Sequence, residues 1–212
     1  MEKNYFKLTS ESMVNIFGVK LFRLELTTDC KWGEKGDKGG WVESLNSIDG
    51  DAWVSGDAEV SGDARVFGDA WVFGDAWVFG DARVFGNARV SGDARVSGNA
   101  WVSGDAEVFG DARVFGDARV SGNAWVFGDA RVSGNAWVSG DAWEKSPLQI
   151  QGSKHFINQC TRLKLRIGCN EFELSYWKKN FKIIGKNNGY TDTQIKEYGL
   201  YIDLAIKLSK LK

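Results

Sequence analysis

The feature that most constrains this chain is a six-residue period. From Asp51 to Ala142 the sequence runs DAWVSG DAEVSG DARVFG DAWVFG and onward, each unit holding Ala, a variable residue, Val, Ser or Phe, Gly, and Asp or Asn. Val returns at every sixth position from Val54 to Val138, and the phase reaches back through Ile48 to Val42, giving 17 aliphatic positions in a row. A fixed period of this kind sets the architecture before any local propensity is weighed. Within a unit Ala and Val stand two apart, so a short extended segment turns both to one face and its variable residues to the other. Gly then bends the chain because it tolerates positive φ, and the following Asp or Asn bonds its own backbone in an Asx-turn. Three such strands per coil predict a triangular prism filled by Val and Ala, with five to six coils at about 4.8 Å each making a rod about 27 Å long. Helical repeats and heptads are excluded by the period, by a β-branched residue in every unit, and by the 26 glycines.

An aliphatic residue followed four positions later by a small one, as in Val66-Phe67-Gly68-Asp69-Ala70, resembles the left-handed β-helix of hexapeptide-repeat proteins, and the resemblance covers residues 41–143. The left hand is implied by that resemblance and not by the period. With the segment before them, the repeats also resemble uncharacterised hexapeptide-repeat proteins of bacteria, phages and prophages, some of which carry an acyltransferase label.

The flanks read differently. YFKLTSESMV and VKLFRLEL are alternating β-prone runs separated around Asn15 to Gly18, which predicts a hairpin in an N-terminal cap over residues 1–40. Such a cap covers an open ladder edge that otherwise invites edge-to-edge growth. Pro147 stops the repeat just after Trp143. Residues 144–212 read as a small α+β domain: LQIQG and RLKLRIG alternate as strands, and Leu174 to about Lys186 has helical apolar spacing through Trp177, Phe181 and Ile184. Thr191-Asp192-Thr193-Gln194 is a capping-box signature opening a second helix to about Leu208, with Ile195, Leu200, Ile202 and Leu204 expected to be buried. The fold class expected is therefore mainly β, a left-handed parallel β-helix with a β-hairpin cap and a two-helix C-terminal domain.

Lys and Arg number 27 against 28 Asp and Glu, a balance that gives no argument for nucleic acid as a partner. Residues 49–143 carry 7 basic and 15 acidic side chains, and residues 144–212 carry 13 and 6, a basic excess read as a solvated face of a cap or assembly module. No apolar run is long enough to span a membrane and MEKNYFKLTS lacks a signal-peptide core, so the expected location is cytoplasmic, in the host cytoplasm if the chain is phage-encoded. Cys30, Cys160 and Cys169 are odd in number and lack paired metal-ligand spacing, which fits reduced thiols.

Nothing in the sequence has the pattern of a catalytic centre. The acyltransferases of the hexapeptide fold use a histidine as general base, whereas the single histidine here, His155, lies beyond the repeats, and no inserted loop shapes a cleft. Metal-dependent members need several histidines, so no metal and no cofactor are expected. The turn acids Asp57, Asp75, Asp93, Asp111 and Asp129, 18 apart, stack on one corner, where an Asx-turn role competes with cation binding.

The outward positions are unusual in holding Trp, Arg and Phe. Sorted by 18, one face carries Trp53, Trp71, Arg89, Glu107, Trp125 and Trp143 with Phe73, Phe109 and Phe127, and a second carries Trp77, Arg95, Arg113 and Arg131 with Phe79 and Phe115. The third carries Arg65, Arg83, Trp101, Arg119 and Trp137 with Phe67 and Phe85. Aromatic surface of this extent predicts a homo-oligomer, a trimer by preference, assembled through Trp53, Trp71, Phe73, Phe109, Trp125 and Phe127. The stacked Arg95, Arg113 and Arg131 beside Trp77 and Phe79 make the candidate ligand site, since guanidinium forks suit phosphates and rings suit nucleobases or sugars. The expected function is a non-catalytic oligomeric binding protein, in its most specific form a phage anti-defence protein sequestering a small nucleotide signal. A structural rod or fibre segment and an acyltransferase-like enzyme are the competing readings.

Overall fold

The computed structural model of the chain describes residues 5–211, so residues 1–4 of the expected cap and Lys212 lie outside the described residues. Residues 41–143 wind into a parallel β-solenoid of about six coils with three sheets. Each repeat contributes a strand of two to four residues centred on its variable residue and Val. The ladder is continuous: Trp71 N donates to Ala88 O and Phe73 N to Val90 O, both at 2.9 Å, and the next coil repeats the pair through Arg89 and Ser91. Every Val from Val54 to Val138 is fully buried, and the repeat alanines fill the corners between them. At the turns, Gly92 has φ +65° and a Cβ placed there would lie 3.0 Å from Gly110 N, so both the backbone conformation and the coil spacing require glycine.

The N-terminal segment caps the prism by extending one of its sheets. Strands β1 (Phe6–Val14) and β2 (Lys20–Leu26) form the expected antiparallel hairpin, and β2 pairs antiparallel with β3 (Lys38–Val42), which in turn pairs parallel with Glu59 and Val60. Phe6, Leu24 and Leu26 thereby close the hydrophobic column of the solenoid. The Gly39-Gly40 pair is required by close approach: a Cβ at Gly39 would stand 2.7 Å from Val54 O, and one at Gly40 2.7 Å from Ala58 O. A bulge between Leu8 and Ser12 interrupts pairing along β1, the outermost strand, which blunts that edge.

The last coil ends differently from the sequence expectation. The period puts Trp143 at an outward position, but Trp125 pairs with Ala142 and Val126 with Trp143, one residue out of the period. Asp141, at φ 59°, absorbs the slip. The physical reason is residue 144: keeping the period would place Glu144 in the interior, whereas the slip puts Trp143 there, 7% exposed, as a plug.

Beyond Pro147 a four-stranded antiparallel sheet (Gln149–Gln151, Phe156–Gln159, Lys164–Ile167 and Asn170–Glu173) packs against helices α1 (Leu174–Asn187) and α2 (Asp192–Ser209). The Thr191–Gln194 capping box is formed. The sheet covers the end of the solenoid, with Ser139 N donating to Cys160 O at 3.0 Å and Asn158 Nδ2 to Trp137 O at 2.7 Å. On α2 the buried stripe is Ile195, Tyr198, Ile202 and Ala205, whereas Leu200 and Leu204, expected inside, are 70% and 41% exposed. Positions 195, 198, 202 and 205 keep one helical face; 200 and 204 fall on the other. Among the described residues no helix is long and apolar enough to cross a membrane.

Candidate ligand-binding face

The largest sheet aligns one column of outward side chains: Arg23 from β2, Trp41 from β3, then Glu59, Trp77, Arg95, Arg113 and Arg131. The three arginines expected as a ligand site are thus brought together in consecutive strands, one strand spacing apart. Arg95 is half-buried, its guanidinium carbon 4.7 Å from the Trp77 ring centroid. Arg113 and Arg131 are exposed, and neither forms an ion pair among the described residues. At the upper end of the column Arg23 repeats the motif, 4.7 Å over Trp41, while its Nη1 bonds Gly56 O and Asp57.

Sequence reasoning missed the third ring of this site. The tip of the β1–β2 hairpin folds over the sheet so that Phe17 lies 5.9 Å edge-on from Trp77 and 5.2 Å from Phe79. Asn15 fixes the tip, its Oδ1 accepting from Phe17 N and Val19 N at 3.0 Å each. An Asn at the start of a turn is a visible signal for the hairpin, but the tip's contact with Trp77 and Phe79 joins residues some 60 positions apart, which no local pattern encodes. Glu59, in the same column, has its carboxyl held above the ordinary value by burial, partly offset by a hydrogen bond with Asn15.

The other two faces are largely satisfied within the chain. Arg83, Trp101, Arg119, Trp137 and Arg166 form an alternating stack with successive cation-to-ring distances of 5.4, 4.7, 4.7 and 3.5 Å, and Phe67 lies on Phe85 at 4.9 Å. On the face expected to assemble, Trp53 is only 4% exposed because Phe6 stacks on it at 5.5 Å, which corrects its place in an oligomer interface. Trp71 is covered in part by Trp32 and Phe73. What remains outward is Trp125, 49% exposed, beside the Phe109–Phe127 stack.

The chemistry elsewhere is quiet. His155 is exposed and sits 5.7 Å from Tyr190, its backbone N donating to the Tyr198 hydroxyl. All three cysteines are free, and burial pushes the Cys160 thiol up to about 12. Among the described residues no group of three or more His, Cys, Asp or Glu is arranged to hold a metal ion. On two corners asparagines relieve the stacked turn acids, with Asn87 Nδ2 donating to Asp105 at 2.8 Å and Asn99 Nδ2 to Asp117 at 2.9 Å.

These features define a parallel β-solenoid repeat protein with capped ends. The family model of the YdcK beta solenoid repeat matches residues 88–104, 112–128, 124–140 and 130–145, about a quarter of the chain, so the similarity is to that repeat. No curated protein matches the chain in sequence.

Proposed function

We propose that the chain is a non-catalytic, oligomeric binding protein whose Arg95–Arg113–Arg131 column takes a phosphate-bearing ligand, with a nucleobase or sugar toward Trp77, Phe79 and Phe17. The observation that carries this reading is the in-register arginine stack beside an aromatic platform, with none of its three members in an ion pair among the described residues. Like charges one strand apart repel one another, at about 1 kcal/mol per close pair in water. A phosphate group neutralises them and accepts their forked donors, each charge-assisted bond contributing roughly 1.5–3 kcal/mol. Asp93, Asp111 and Asp129 each stand two residues before an arginine and weaken the local field, so recognition rests on the geometry of the forks more than on net charge.

The specific form of the proposal is a phage protein that sequesters a nucleotide immune signal in the host cytoplasm, the form that the resemblance read from the repeats implies. Assembly into a homo-oligomer, by preference a trimer, is supported by the outward Trp125 beside Phe109 and Phe127. The rod or fibre reading has less support, since chain segments cover both ends of the prism. The test is calorimetric titration of ADP-ribose and cyclic di-AMP into wild type and Arg113→Gln, with circular dichroism establishing that both are folded. Binding should weaken about tenfold or more in the variant and fall with salt; equal affinities would refute the site.

A further inference from the structure

A second cleft lies on a different face, between the loop that joins β2 to β3 and the first two coils. Its volume is about 480 Å³, within the range of small-ligand sites, and Trp32, Trp53 and Trp71 wall it, with Lys31, Lys38, Asp37 and Ser55 at the rim. The indole N–H groups are already committed. Trp71 Nε1 donates to Ser55 Oγ at 2.9 Å and Trp32 Nε1 to Asp51 O at 2.7 Å, which fixes both rings; Lys31 lies 4.9 Å over Trp32 and Phe73 4.2 Å from Trp71, so the hydrocarbon that faces the cleft is the half-exposed remainder of each ring.

The charges at the rim are paired as well. Lys31 is held by Asp69 and, at 3.8 Å, by Asp51; Lys38 is held by Glu11. Asp37 accepts from Glu34 N at 2.9 Å. Two lysines against four carboxylates leave a local excess of negative charge, which disfavours phosphate here and separates this cleft from the arginine column. The paired ammonium and carboxylate groups keep unused donor and acceptor positions, which neutral hydroxyls fill without an unpaired charge. The planes of Trp32 and Trp71 meet at 49° with centroids 5.5 Å apart, so the two rings pack on each other and leave no slot for a flat base between them; only the open mouth of the wedge faces the cleft, where the C–H face of a chair-shaped ring rests on one indole.

From this geometry we infer that the Trp32–Trp53–Trp71 cleft is a binding site for an uncharged saccharide. The pyranose C–H face lies on the exposed part of Trp32 or Trp71, with Trp53, 4% exposed beneath Phe6, forming only the floor, and its hydroxyls bond Lys38, Asp37 and the Lys31 cluster. Chitotriose, cellotriose and maltotriose, with adenosine as the flat-ring control, are titrated into the full chain and followed by saturation-transfer NMR. At least one trisaccharide should bind saturably in the millimolar range, unaffected by 0.5 M salt and by Arg113→Gln. Trp32→Ala should weaken it about tenfold, as expected for loss of one stacked ring, and Lys38→Gln, which leaves every ring in place, should weaken it as well. No saturable binding of any trisaccharide, adenosine binding in their place, or full affinity in both folded variants overturns the inference. Loss of binding in Arg113→Gln would assign the saccharide to the arginine column instead, and overturns it equally.

Discussion

Replacing Trp143 by Ala tests whether the end of the solenoid is sealed by that side chain. Trp143 is 7% exposed and occupies the interior column below Val126. A Trp side chain buries about 150–250 Å², which at about 25 cal/mol per Å² corresponds to roughly 4–6 kcal/mol. Measured Trp-to-Ala losses in cores run at about 3–5 kcal/mol, and partial collapse at a chain end favours the lower part of that range. Coils of a solenoid contact only their neighbours, so the loss should appear first as local fraying. The sensitive probes are the amides of Trp125 and Phe127, which donate at 2.9 Å to Asp141 O and Trp143 O. Hydrogen exchange should show both amides losing most of their protection, while Trp71 N and Trp77 N keep theirs. Trp125→Ala is the control: its side chain is 49% exposed, and by the same arithmetic it should cost about 2–3 kcal/mol, less than the plug. Unchanged protection at Trp125 and Phe127 in Trp143→Ala, or a denaturation midpoint no lower than that of the control, would refute the plug.

Burial raises the Glu59 carboxyl above its ordinary value, so its ionised form costs more in the folded chain than in the unfolded one. That cost is absent below the unfolded pKa and complete above the folded one, so Glu59→Gln should raise the melting temperature at pH 7 and lose that advantage as pH falls to about 4. Light scattering should give a lower mass for the Phe109→Ser, Trp125→Ser, Phe127→Ser triple variant with its β circular dichroism retained; an unchanged mass would exclude this face from assembly. With a thiol reagent at pH 8, exposed Cys169 should react fastest and buried Cys160, its thiol pushed up to about 12, only on denaturation. Equal rates in the folded chain would contradict the packing around Cys160.

The solenoid was legible because one rule repeats: Val inward, a variable residue outward, Gly at the corner. The same rule puts Arg95, Arg113 and Arg131, 18 residues apart, in one column. Where a local rule met a neighbour, it failed. The slip that buries Trp143 depends on Glu144, a residue outside the repeat, and on Asp141 accepting positive φ. Trp53 and Trp71 looked outward in the repeat, yet a cap some 45 residues earlier covers them through Phe6 and Trp32, a long-range contact that no period encodes. Phe17 over Trp77 is the same kind of contact. On α2 the apolar residues occupy both faces, so composition did not decide which stripe packs; Tyr198 and Ala205 do, and Leu200 and Leu204 remain outside.

The most direct test of the central claim is recovery of ligand after binding. The purified chain is incubated with cyclic mono- and dinucleotides and ADP-ribose derivatives, separated from free ligand, denatured, and the released material identified by mass spectrometry. At least one phosphate-bearing compound should be retained in stoichiometric amount by wild type, recovered unaltered, and not retained by folded Arg113→Gln. Retention of none of them, or recovery of a chemically converted product, would contradict the claim.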